Sequence, residues 1–77
     1  MAISYNKLWK LLIDKNSNKT KLRKATGMST STMAKLAKSQ PVTLSVLEKI
    51  CAELDCNVGD IMEFTNLSEV KAELKGR

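Results

Sequence analysis

Histidine is absent from this 77-residue chain. Its absence removes the most frequent general base and the most frequent metal ligand. The two cysteines, Cys51 and Cys56, stand in a C-x4-C spacing that matches no zinc or redox motif. Their apolar neighbours mark them as small core residues. One Trp, one Tyr and one Phe are too few for a stacking strip along single-stranded nucleic acid. Three glycines and one proline leave no phosphate-cradling loop, and no acids pair in a recognisable catalytic arrangement. The inventory therefore excludes an enzyme, a metal or cofactor site and a small-molecule substrate. The longest apolar run, Leu11-Leu12-Ile13, is too short to span a bilayer. Met1 to Tyr5 runs straight into an amphipathic pattern without a leader segment. The expected location is a reducing cytoplasm, away from membranes.

What remains is one small domain. A chain of this size buries only about 60% of the surface it exposes when unfolded, so no cleft between two domains is available. With 43% apolar and 27% charged residues it has the composition of a folded globular chain. Its charge is unevenly spread. Residues 1–38 carry nine basic groups against the single acid Asp14, a net +8, and residues 39–77 carry four against seven, a net −3. A front half this positive favours a polyanion.

Apolar residues recur at helical spacing throughout, with no strand alternation, repeat or low-complexity block. Ser4 is the expected N-cap of a first helix, with Ile3 folding back as a staple on Leu8 and with Tyr5, Leu8, Leu11 and Leu12 inward. Trp9 flanks that stripe, and Asn16-Ser17-Asn18 ends it. Asn18 caps a second helix, Lys19 to Thr26, with Leu22 and Ala25 inward. Gly27 ends it in the left-handed conformation. Met28 sits in the turn, and Ser29 caps a third helix, Thr30 to Lys38, with Met33, Leu36 and Ala37 inward. Pro41 breaks the chain. Thr43 caps a fourth helix with Leu44, Leu47, Ile50, Cys51 and Leu54 on one face. Asn57 and Asp60 form a capping pair for a short last helix, Val58 to Glu63, and Ile61, Met62 and Phe64 close the core. The domain is expected to span 1–64, with 65–77 a tail holding one weak helical turn.

Lys19 to Lys38 carries the functional information. Two short helices joined by Gly27-Met28-Ser29 form a helix-turn-helix, whose second helix protrudes far enough to enter the major groove of B-DNA. The polar residues left outside on that helix are Thr30, Ser31, Thr32 and Lys35. Hydroxyls serve several base edges, a Thr methyl meets a thymine methyl, and Lys35 reaches a guanine edge or a phosphate. Around the two helix starts stand Asn18, Lys19, Thr20, Lys21 and Ser29, with Lys24 and Lys38 nearby, and such helix ends favour phosphate.

Residues Lys19 to Leu36 resemble the helix-turn-helix of Cro and phage-repressor type, also called Xre-like, in its small stand-alone bacterial regulators. Val42 to Cys51 and Asp55 to Met62 resemble its fourth and fifth helices, so the likeness covers about residues 4–64. The resemblance implies a compact five-helix, all-α, lambda-repressor-like domain whose third helix reads bases. It also implies that the starts of helices two and three hold phosphates. Lys19 falls where the family often has a phosphate-contacting Gln, and Thr30 and Ser31 fall on its main base-reading positions. Two departures stand out. Arg23 replaces a usual Ala near the helix–helix contact, so its guanidinium lies in water or reaches a phosphate. Ser17 replaces a usual apolar residue.

The reading is therefore a sequence-specific double-stranded DNA binder that represses transcription. A homodimer through residues 61–74 would let it grip paired half-sites, with Phe64, Leu67, Val70 and Leu74 as the apolar contacts. Two alternatives are a protein-interaction module, an antitoxin or adaptor working through the acidic back half, and a non-specific nucleic-acid or RNA binder.

Overall fold

Apolar residues one helical turn apart give each helix a single inward stripe, and these stripes meet in one core. The computed structural model describes residues 2–76, so Met1 and Arg77, the outer ends of the two expected segments, lie outside the described residues. The elements in order are β1 (Ile3–Ser4), α1 (Asn6–Asp14), α2 (Lys19–Thr26), α3 (Thr30–Ala37), α4 (Leu44–Leu54), a 3-10 turn (Val58–Asp60), β2 (Glu63–Phe64) and α5 (Leu67–Lys75). Tyr5, Leu8 and Leu12 from α1 and its approach, Leu22 from α2, Leu36 from α3, and Leu47, Ile50 and Leu54 from α4 are buried together. Met28 from the turn and Ile61 complete the cluster. Full burial of one such side chain stabilises the fold by about 1.5–3 kcal/mol.

The caps follow the residue types. Asn18 Oδ1 accepts from the Lys21 amide at 2.8 Å, Ser29 Oγ from the Thr32 amide at 3.2 Å, and Thr43 Oγ1 from the Val46 amide at 3.3 Å. Gly27 ends α2 at φ 74°, in the left-handed region. Asn57 and Asp60 make the expected capping box, in which the Asn57 amide donates to Asp60 Oδ2 at 3.0 Å. Cys51 and Cys56 are free thiols packed half-buried against the core. Burial pushes the Cys56 thiol up, and Cys51 beside it adds to the shift.

The fold is the expected all-α arrangement of five helices, but its fifth helix is a different segment. Val58 starts only a single 3-10 turn, because the chain then leaves to pair as β2. β2 lies antiparallel to β1, with Ile3 opposite Phe64 and Ser4 opposite Glu63. A two-residue strand is too short to show alternation, so this pairing left no pattern in the sequence. Ser4 consequently belongs to β1 rather than capping α1, although its Oγ accepts from the Asn6 amide at 3.3 Å. The N-cap position is Tyr5, which makes no side-chain capping bond.

Four apolar residues expected inside are outside. Phe64 is 62% exposed and Leu44 81% exposed, and Ala25 and Ala37 are exposed as well. Leu44 is the first residue of α4 and precedes the turn where that helix meets the core. Phe64 projects from the small sheet. The tail forms more than one weak turn: α5 is nine residues long and buries none of them.

Candidate nucleic-acid interface

α2 and α3 both begin with polar caps and carry no acid in their first turns. α2 holds Lys19, Lys21, Arg23 and Lys24 within eight residues. Positive charge at a helix N-terminus opposes the macrodipole, and like charges one turn apart repel. Lys19 and Lys21 therefore work against the stability of their own helix. Among the described residues the salt bridge is Lys7 to Glu63 at 3.8 Å, between α1 and β2. The cations of α2 and α3 take part in none among the described residues.

The expected phosphate-contacting residues Asn18, Lys19, Thr20, Lys21, Ser29 and Lys38 are all exposed. Asn18 uses its carbonyl oxygen as a cap and keeps its amide protons for an outside acceptor. The Lys19 ammonium lies 4.5 Å from the centroid of the Trp9 ring, so α1 holds the first cation of α2 in place.

Of the expected base-reading residues, Thr30, Ser31 and Lys35 are exposed and Thr32 is half-buried. They are spread around the exposed side of α3. Thr30 lines a shallow cleft with Lys19, Thr20, Arg23 and Met33. Thr32 and Lys35 line a second groove with Pro41, Val42, Thr43 and Val46 on the opposite flank of α3. Ser31 stands between, on the outermost face.

The hydroxyls at the start of α3 are linked. Ser29 Oγ lies 3.0 Å from Ser31 Oγ and 3.0 Å from Thr32 Oγ1 while accepting from the Thr32 amide. A hydroxyl has two lone pairs and one proton. The amide takes one lone pair, so only one neighbouring hydroxyl can donate to Ser29, and the other must accept its proton. The accepting hydroxyl keeps its own proton for an external acceptor.

Sequence reasoning missed one residue of this face and left another's role open. Ala34 is exposed, one turn beyond Ser31 and one turn before Lys38. The 31–34–38 spacing carried that signal. Arg23 is half-buried where α2 crosses α3.

A family model for the Cro/C1-type helix-turn-helix DNA-binding domain matches residues 7–66. The chain belongs to this family. Its Cro/C1-type domain is also similar to a crystal structure of the transcriptional regulator VanUg, with 56% identity and a TM-score of 0.79 over 80% of this chain and 83% of that one. No match was found among curated protein sequences. No helix among the described residues of the Cro/C1-type domain is long and apolar enough to cross a membrane.

Proposed function

We propose that the chain is a sequence-specific transcriptional regulator that inserts α3 into the major groove and represses by occluding a promoter in the cytoplasm. The observation that carries this reading is an exposed, hydroxyl-bearing helix face flanked by cations that no acid neutralises among the described residues. Similarity to a transcriptional regulator at 56% identity supports it. In this reading Thr30, Ser31, Thr32 and Lys35 contact bases, and Ala34 lets the groove floor approach closely, its methyl suited to a thymine methyl. Asn18, Lys19, Thr20, Lys21, Ser29 and Lys38 contact phosphates, which supply most of the affinity and its salt dependence. Selection of bound duplexes from a random pool tests it. One strongly enriched motif is expected, and a pool without enrichment would overturn the reading.

We further propose that residues 1–64 form the DNA-binding unit and that the following helix pairs with a second copy of this chain. Ile61 is fully buried and Met62 half-buried, so the pairing surface begins at Phe64. On α5, Leu67, Val70 and Leu74 form an exposed stripe, with Glu69 and Glu73 on one flank and Lys71 and Lys75 on the other. Two such helices side by side in parallel put the acidic flank of each against the basic flank of its partner. Sedimentation should show a dimer that Leu67→Lys dissociates. A wild-type monomer at concentrations that saturate DNA would exclude this pairing.

A further inference from the structure

Arg23 is the one cation of α2 whose side chain is half-buried. It lies beside Lys19, Thr20, Thr30 and Met33 in a cleft of about 160 Å³ between α2 and α3. Lys19 and Arg23 are four residues apart on one helix, a spacing that brings Cβ atoms to within about 5–6 Å. Two like charges so placed repel, and no acid lines the cleft. Neither residue takes part in a salt bridge among the described residues. Thr20 and Thr30 add hydroxyl donors to the same cleft. Two cations and two hydroxyls around one opening, with no carboxylate among them, form a donor-rich site, the chemistry that suits a phosphate. Trp9 restrains Lys19 from α1, and the half-buried stem of Arg23 restrains the second cation, so less freedom is lost when an anion arrives.

We propose that Arg23 and Lys19 together clamp a single DNA phosphate in this cleft, with Trp9 positioning the lysine. The proposal rests on the DNA-binding reading above and adds a contact that this chain's own arginine creates. Arg23 here sets affinity and register. It does not read a base, because its stem is held at the helix crossing behind the tip of α3.

The test uses the full chain and a duplex from the random-pool selection. Arg23→Met keeps the stem over the cleft and removes the charge, and Arg23→Ala serves if the methionine variant unfolds. With one phosphate contact worth about 0.9 units of salt slope, either variant should bind up to about tenfold more weakly at ~0.1 M salt. The slope of log K against log salt should fall by a fraction of a unit in the single variant, because Lys19 still meets the same phosphate, and by about one unit when both cations are removed, with the preferred sequence unchanged. Arg23→Lys should retain most of the slope. The double variant Arg23→Met, Lys19→Ala should lose less than the two single losses combined, as partners on one phosphate do. Additive losses would place the two cations on separate phosphates and overturn the clamp. An unchanged slope in Arg23→Met alongside a reduced slope in Lys19→Ala would remove Arg23 while leaving the DNA-binding reading intact. A changed base preference without a changed slope would make Arg23 a base reader and likewise overturn the proposal. Failure of every variant to alter the slope, on a chain that prefers no duplex, would remove the DNA-binding reading and the clamp together.

Discussion

The Tyr5 hydroxyl donates to the backbone carbonyl of Gln40 at 2.9 Å. This bond joins the start of α1 to the loop that leaves α3, and so helps set the angle at which α3 protrudes. Tyr5→Phe should lower unfolding free energy by about 0.5–1.5 kcal/mol, the usual net contribution of such a bond. The measurement is chemical denaturation at neutral pH. Burial raises the Tyr5 phenol above 10.0, and the Val42 backbone offsets part of that rise. A raised acid binds its proton more tightly in the folded state. Its contribution is thus fully present below the unfolded pKa and is lost as pH rises through the folded one. Wild type should lose stability relative to Tyr5→Phe above about pH 10. Parallel curves for the two proteins through that range would refute the assignment.

Lys19 over Trp9 gives the interface an internal reporter, because the chain has a single tryptophan. A phosphate arriving beside the ammonium that rests on the ring should alter indole emission on titration with duplex. Lys19→Ala should abolish the response while leaving weaker binding measurable by anisotropy. Trp9→Leu, with the cation no longer held, should bind DNA several-fold more weakly, in line with a cation–π contact of about 0.5–1 kcal/mol.

Ser31 and Lys19 should fail differently when truncated. Ser31→Ala removes a hydroxyl on the outer face of α3 and should shift the preferred sequence at one base position, at a cost of about 1–3 kcal/mol for the original base. Lys19→Ala should weaken all duplexes by a similar factor and flatten the salt dependence. Uniform losses from both would count against base contact by Ser31.

Gly27 is held at φ 74°, and a Cβ built there meets nothing within 4 Å. The cost of Gly27→Ala is therefore conformational strain alone, about 1–2 kcal/mol. Gly27→Asn should cost less, because Asn tolerates the left-handed region. Thermal unfolding of the two variants checks the order.

The helix-turn-helix was legible in the sequence because its determinants are local. The side chains of Asn18, Ser29 and Thr43 accept from amides three residues on, Gly27 turns the chain through its own left-handed φ, and Leu22 and Leu36 lie on stripes with helical period. The lysine excess of the front half needed only counting. The β1–β2 pairing was not legible, since Ile3 and Phe64 meet across nearly the whole chain and two residues show no period. That pairing also ended the fifth helix expected at Val58 and turned Phe64 outward. Only tertiary structure decided that Arg23 enters the cleft beside Thr30, that Lys19 rests on Trp9, and that Thr32 turns towards the loop before α4. Sequence assigns a side chain to a face of its own helix, but the angle between two helices determines which faces meet and what lies in the groove between them.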